Sequence, residues 1–380
     1  MNNYPTYKLN EICKISTGKW DANHAVEDGR YRFYTCSNKF TMCDTASFNG
    51  ECVIVPGNGD LGLLFYYNGE FDAYQRTYVL SDIKIYPKYL YYHMMYKWRS
   101  STEKLNYGST IKYVRITNFT SYEIEVPDKT TQHAIVTRIE TLFAELDKAM
   151  QHLRTAQQQL KTYRQAVLNH SFSNETWKNV SITDIIEKEK NSLKAGPFGS
   201  SLKKEYYVED GYKVYGQEQV ISGDPFIGNY YIDEDKYKEL ESCKIKSGDV
   251  LISLVGTVGK ILILPENIKP GIINPRLIKI TLNRQMYDSK FFKYYFESSQ
   301  VKSFYKINAS GTTMDVLNIG IIKQIPFPLP PLAEQQRIVK EIESRLSQAT
   351  ATETYIENAL QQAEALRQSI LKKAFSGELV

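Results

Sequence analysis

Set against itself at a constant offset of 203 residues, the chain repeats. Gly108-Ser109-Thr110 falls on Gly311-Thr312-Thr313, Pro127 on Pro330, Gln132 on Gln335, Ile135-Val136 on Ile338-Val339, Arg164-Gln165 on Arg367-Gln368, and Phe172-Ser173 on Phe375-Ser376. Few architectures satisfy such a pattern, because the same order of apolar and turn residues, met twice, specifies the same unit twice. Upstream the match continues, with insertions. Val26-Glu27-Asp28-Gly29 returns as Val208-Glu209-Asp210-Gly211, Gly59 and Gly62 as Gly256 and Gly259, Arg76 as Arg276, and Tyr91-Tyr92 matches Tyr294-Tyr295. Each copy has a divergent front and a constant back. That is the pattern of a head that meets a changing ligand and a stem that meets a fixed partner.

The stem is a helix by its period. Residues 132–171 contain no Pro or Gly, and core-type positions fall at Ile135, Ile139, Leu142, Leu146, Ala149, Leu153, Ala156, Leu160, Tyr163 and Val167. Their steps alternate four and three, which is a heptad seam. The second copy gives Ile338, Ile342, Arg345, Ala349, Thr352, Ile356, Ala359, Ala363, Leu366 and Ile370, with polar interruptions at Arg345 and Thr352. About 40 residues at ~1.5 Å each make a rod roughly 60 Å long. Seam alanines let two such rods approach closely, so they are expected to pair within the chain, antiparallel. The heads read as mixed: short β-branched and aromatic runs (Cys52–Val55, Thr77–Leu80, Val250–Ile252, Leu277–Ile280) between turn residues, with helices over Lys88–Lys97 and Ser289–Phe304. Pro326–Pro331 reads as a stiff joint, since proline breaks a strand ladder or a helix. The expected fold class is therefore α+β: two similar mixed α/β domains separated by two long helices that form an antiparallel intramolecular coiled coil.

Composition narrows the function by exclusion. With 42% hydrophobic and 24% charged residues the chain folds throughout, and a net charge of +4 is too mild to name a nucleic-acid partner by itself. The cysteines Cys13, Cys36, Cys43, Cys52 and Cys243 contain no C-x-x-C pair and read as free thiols of a reducing compartment. The five histidines are dispersed, so no metal site is expected. A polar start and the lack of any long apolar run point to a soluble, cytoplasmic protein. Gly57-Asn58-Gly59-Asp60-Leu61-Gly62 has G-x-G-x-x-G spacing, but a strand follows where a dinucleotide site needs a helix, so a tight hairpin turn is the better reading. Asn274-Pro275-Arg276-Leu277 begins like an adenine-methyltransferase motif and lacks its second proline and aromatic. With no nuclease, Walker, nucleophile-elbow or zinc-protease spacing either, no catalytic residue is assigned.

What remains suits contact with a polyanion. Lys194-Ala195-Gly196-Pro197-Phe198-Gly199-Ser200-Ser201-Leu202-Lys203-Lys204 combines glycines that permit close backbone approach with hydroxyl and ammonium donors, making Ser200, Ser201, Lys203 and Lys204 candidates; a plain surface turn is the alternative. Ser109 and Thr110, followed by Lys112, and their counterparts Thr312 and Thr313 invite the same argument. Arg76 and Arg276 are the candidates to grip a guanine edge, and Gln217 and Gln219 an adenine edge, since each side chain matches those atoms two at a time. Thr17 and Lys19, from the looser turn Ile15-Ser16-Thr17-Gly18-Lys19, join them with Asn38 and Lys39.

These residues resemble the specificity subunit of a type I restriction-modification system across nearly the whole chain. The likeness is strongest at Ser310-Gly311-Thr312-Thr313, at Ile325-Pro326-Phe327-Pro328-Leu329-Pro330-Pro331-Leu332-Ala333-Glu334-Gln335-Gln336-Arg337-Ile338-Val339, at Gly196–Leu202 and at Leu371–Leu379. The first copy departs from it at Val126–Ala134, which lacks the second proline, the leucine and the arginine of its twin. The resemblance implies two target recognition domains (1–130 and 174–332), each reading half of a split DNA site, and two conserved helices (131–173 and 333–380) that dock two methyltransferase subunits. Gln132, Arg138, Gln335 and Arg337 are the candidate partner-binding residues. The chain itself would hold no cofactor and perform no catalysis, with S-adenosylmethionine, ATP and Mg²⁺ on methyltransferase and restriction partners. A reader of the same design serving a fused methyltransferase-nuclease, and a coiled-coil interaction protein that never touches bases, remain open alternatives.

Overall fold

The computed structural model describes residues 4–103, 112–308 and 317–379. The chain divides into two compact units, one of residues 1–155 with 356–380 and one of residues 156–355, and both divisions fall inside a long helix.

In the first unit the strands are β1 (Thr6–Lys8), β2 (Lys14–Thr17), β3 (Tyr31–Tyr34), β4 (Thr41–Cys43), β5 (Glu51–Pro56), β6 (Phe65–Asn68), β7 (Phe71–Ala73), β8 (Thr77–Ser81) and β9 (Glu123–Glu125). Its helices are α1 (Leu9–Ile12), α2 (Pro87–Glu103), α3 (Ile116–Thr120) and the start of α4 (Lys129–Ser171). The strands form an antiparallel sheet in the order β2-β8-β5-β6, a mixed sheet β4-β3-β7 with β3 and β7 parallel, and the pair β1-β9. Strand β5 is buried on both faces from Cys52 to Pro56, which is why it reads as an unbroken apolar run. Leu90, Met94 and Trp98, spaced four apart on α2, pack into the same core.

The second unit repeats this plan strand for strand. Its strands are β10 (Asn179–Val180), β11 (Leu193–Ala195), β12 (Tyr212–Tyr215), β13 (Tyr231–Ile232), β14 (Val250–Ser253), β15 (Ile261–Ile263), β16 (Gly271–Ile273), β17 (Leu277–Ile280) and β18 (Phe327–Pro328). They order as β11-β17-β14-β15, β13-β12-β16 and β10-β18, with β12 and β16 the parallel pair. The helices are α5 (Ile182–Ile185), α6 (Gln217–Ser222), α7 (Glu234–Glu239), α8 (Ser289–Phe296), α9 (Ser299–Asn308), α10 (Ile319–Gln324) and the start of α11 (Leu332–Phe375).

Sequence and structure differ here in three places. The helix expected over Ser289–Phe304 breaks at Glu297-Ser298, because Asn169 of α4 caps a new helix start: its Oδ1 accepts from the Ser299 amide (3.1 Å) and hydroxyl (2.7 Å). Pro328 lies inside β18 rather than in a strand-free joint, a place proline tolerates in so short a pair, and Phe327 beside it is fully buried. The Tyr91-Tyr92 match is one residue out of register. Lys88 pairs with Glu140 and Lys290 with Glu343, both at 2.7 Å, so α2 and α8 correspond at an offset of 202, and Tyr92 matches Tyr294.

Within each unit the two long helices run antiparallel, and every second position of the buried stripe lies one residue beyond the expected seam. Ile139, Leu146 and Val167 are buried as expected, but Phe143 and Met150 take the places foreseen for Leu142 and Ala149, while Tyr163 is 41% exposed. In α11 the stripe is Ile342, Leu346, Ala349, Glu353, Ile356, Leu360, Ala363, Arg367 and Ile370, so Arg345, Thr352 and Leu366 lie outside it. Both stripes alternate fours and threes; the one that buries Phe143, Met150 and Leu346 removes more apolar surface from water. Its polar members are satisfied. Arg164 Nη2 donates to Thr350 and Glu353, each at 2.9 Å, in the second unit. Arg367, its counterpart, bonds Asp147 and lies over the Phe143 ring in the first.

Each stem end docks on a head in the same way. Phe375 packs edge-on against Tyr89 and His93 in the first unit, and Phe172 against Phe291 and Tyr295 in the second. No described helix is long and apolar enough to cross a membrane.

Candidate nucleic-acid interface

Both heads bring the same corner to the surface. In the first, β2 ends at Thr17 opposite Tyr78 of β8, and the Gly18 amide donates to Thr77 O (3.1 Å). In the second, β11 ends at Ala195 opposite Ile278 of β17, and the Gly196 amide donates to Leu277 O (2.9 Å). A Cβ on Gly18 would collide with Ala73 O, and one on Gly196 with Asn274 O, so this crossing of backbones admits only glycine. Arg76 and Arg276 stand at equivalent places just before β8 and β17. Both are exposed, and neither guanidinium has a hydrogen bond or ion pair among the described residues. An exposed guanidinium with no partner among the described residues, at the same corner of both copies, is a donor fork available to an acceptor pair.

Beside that corner the heads differ. The first holds a cleft of about 470 Å³ lined by Thr17, Gly57, Asn58, Gln75, Arg76, Tyr78, Tyr113 and Val114. Burial pushes the Tyr78 phenol up, keeping it a neutral O–H donor. In the second head Gln217 donates through Nε2 to Val255 O, and Leu254 and Ile278 are buried.

The other sequence candidates fall into three groups. Lys19, Asn38, Lys39, Lys112, Ser200, Lys203 and Lys204 are exposed and Ser201 is half-buried; Lys203 lies 3.7 Å from Glu205. The loop bearing Asn38 and Lys39 reaches the corner through Cys36, whose Sγ contacts Arg76 O (3.6 Å). Ser109, Thr110, Thr312 and Thr313 lie outside the described residues. Gln219 is a correction: it is fully buried, its Oε1 accepting from the Gly216 amide (2.7 Å) and its Nε2 donating to Ile227 O (2.8 Å), so it secures α6 and has no face for a base. Gln217 has likewise committed its Nε2 to the Val255 carbonyl.

Gln132 and Gln335 are corrected from partner-binding residues to internal clamps. Gln132 accepts from the Tyr86 amide and donates to Pro127 O, both at 2.8 Å. Gln335 accepts from the Asp288 amide (2.8 Å) and donates to Met286 O and Pro330 O (2.9 Å each). Each ties the first turn of a stem to its head, and a carboxamide suits both places because it supplies an acceptor and two N–H donors on one planar group. Arg138 is exposed; Arg337 is exposed and lies 3.8 Å from Glu341. The Gly57–Gly62 run is a loop between β5 and β6 rather than a tight turn. Asp60 Oδ1 accepts from the Gly62 amide (3.1 Å) and pairs with Arg99 (2.6 Å), so a carboxylate sits where a phosphate would.

Several surface residues escaped the sequence reading. Phe198 is 88% exposed between Pro197 and Gly199, and its position in a glycine-bounded run was the one available signal. Asn58, Tyr78 and Tyr113 come together only through the fold, from three separate segments, so no spacing could have announced the cleft.

Comparison with known proteins agrees with this geometry. The family model described as the type I restriction modification DNA specificity domain matches residues 1–154 and 174–362. The EcoDI type I restriction enzyme specificity subunit of Escherichia coli is 30% identical, over 99% of this chain and 88% of its own. The MjaVIII specificity subunit of Methanocaldococcus jannaschii is 23% identical, over 71% of this chain and 64% of its own. Among solved structures, a chain of a type I R-M system assembly superposes with a TM-score of 0.77 at 16% identity, covering 100% of this chain and 99% of that one. The HsdS subunit from Thermoanaerobacter tengcongensis does so at 0.57 and 17%, covering 100% and 98%; both likenesses concern the fold.

Proposed function

The chain belongs to the type I restriction-modification DNA specificity family, and from that premise we propose that it reads a split DNA site, one half with each head, for methyltransferase and restriction partners. The observation that carries this is the duplicated corner: two copies of one three-sheet head, each presenting an unengaged arginine beside a glycine-only backbone crossing. Phosphate contacts from lysines such as Lys19, Lys112, Lys203 and Lys204 set the orientation of each head, and the arginines read base edges in the major groove. Outward faces of α4 and α11, including Arg138 and Arg337, receive two methyltransferase subunits. Methyl transfer and ATP-driven cleavage, with S-adenosylmethionine, ATP and Mg²⁺, belong to the partners, and the chain contributes no catalytic group. It acts in the cytoplasm, where those partners and the DNA are.

Arg276→Ala tests the reading. In competition binding by the assembled complex to duplexes with single base-pair changes, it is expected to relax discrimination at one position by about 1–3 kcal/mol and to leave the other half-site unchanged. Arg76→Ala does the same for the opposite half. Uniform weakening across all sequences by both variants makes the arginines phosphate grips, and no effect in either removes this corner from the interface.

A further inference from the structure

The cleft of the first head has a chemistry its twin lacks. The β-registers and the amide bonds Val114 N to Gly57 O (2.9 Å) and Leu317 N to Leu254 O (3.3 Å) fix the correspondence. Thr17 becomes Ala195, Gly57 becomes Leu254, Asn58 becomes Val255, Gln75 becomes Pro275 and Tyr78 becomes Ile278. Arg76 keeps its kind, as Arg276, and the aliphatic Val114 answers to Leu317. A recess with a polar rim in one copy is thus aliphatic in the other.

The residues of the recess describe its occupant. Thr17 and Tyr78 are cross-strand neighbours and so share a face of the sheet. Tyr113, steadied by Arg115 Nη2 on its hydroxyl (3.1 Å), lines the same space. The phenol rings offer flat apolar surface, Asn58 and Gln75 offer a donor and an acceptor each, and Arg76 offers a positive fork. A flat ring with a rim of donors and acceptors, joined to a phosphate, is a nucleotide. About 470 Å³ lies within the range of about 300–1,000 Å³ that such sites occupy. Reading a base edge in the groove calls for side chains that project. A recess does not serve that purpose, and a base still in its stack cannot enter one; a base turned out of the duplex can.

We propose that this cleft receives one nucleotide of the first head's half-site, turned out of the duplex, while Arg76 beside it keeps the edge of a stacked neighbour, whereas the second head reads only bases left in their stack. The inference rests on the DNA-reading function proposed above and adds a mode of reading to it.

The test is a mismatch scan. The assembled complex is titrated with duplexes carrying one mismatch at a time through both half-sites. Turning out a base already unpaired costs less, so besides the base each methyltransferase turns out for its own reaction, which appears in both half-sites, one further position, in the first head's half-site alone, is expected to bind about tenfold tighter than the matched duplex. Asn58→Val, which imports the second head's residue, should abolish that gain; Thr17→Ala, imported likewise, is the milder variant if the first fails to fold. Mismatches that weaken binding at every position other than the methyltransferase bases in the unaltered complex overturn the proposal while leaving DNA reading intact. A tighter further position that survives both variants overturns the assignment to this cleft. Failure of the matched site to outcompete unrelated DNA sinks the underlying function, and the proposal with it.

Discussion

The two heads share every strand partner, yet the surfaces they present have parted. In both, an apolar central strand (β5, β14) lies between the same two neighbours, and a helix carrying buried aromatics covers one face. At the corner beside β8 and β17, one copy keeps a polar recess and the other is aliphatic. The joints differ too. His93 shares a hydrogen bond with the Tyr122 hydroxyl (2.9 Å) where Tyr295 donates to Pro326 O (2.6 Å), though both meet the incoming phenylalanine. Ladder pairing and core volume constrain the strands, because a slip of one residue turns every side chain to the wrong face. The rim of a loop carries no such penalty. Duplication therefore preserved the scaffold and released the contact surface.

The comparison can be broken at the stem, the joint and the protonation state. The largest effect is expected from Phe143→Ala, about 3–4 kcal/mol in denaturant unfolding, because it empties a buried aromatic site. Leu346→Ala at the equivalent position of the half-buried twin should cost less, and Leu142→Ala less again; equal losses at Leu142 and Phe143 would contradict the observed stripe.

Next comes the pair of clamps. Gln335→Ala leaves an amide and two carbonyls without partners and should destabilise by about 3 kcal/mol, whereas Gln132→Ala leaves one of each and should cost about 2. Were either glutamine a partner contact instead, its loss would lower methyltransferase binding and leave unfolding unchanged.

The smallest separates the heads by pH. Burial, helped by nearby Lys97, pushes His93 down to about 3 from the ordinary 6.5. The unfolded chain takes up this proton first, so the first unit is fully stable above pH 6.5 and loses stability as pH falls from there towards 3. At about 1.4 kcal/mol per pH unit, the loss at pH 5 is about 2 kcal/mol. Tyr295, pushed up to about 12 by burial, stays neutral across that interval. Hydrogen exchange at pH 7 and pH 5 should show the first unit loosening more than the second, and His93→Phe should flatten the difference.

Much of this architecture could be read from the chain alone. The constant offset announced two like units and the four-three rhythm two long helices. These are local or self-referential signals, written in spacing. Tertiary packing decided which of two adjacent stripes became the seam, because Leu142 and Phe143 are both apolar and only the facing helix chooses between them. It turned Gln132, Gln335 and Gln219 inward, since a carboxamide suits an outside partner or a base edge as well as an internal amide until its neighbours are known. It also assembled Asn58, Tyr78 and Tyr113 around one recess from segments that are distant along the chain. Periodicity fixes which residues are candidates for burial or contact; the shape of what packs against them determines which are used.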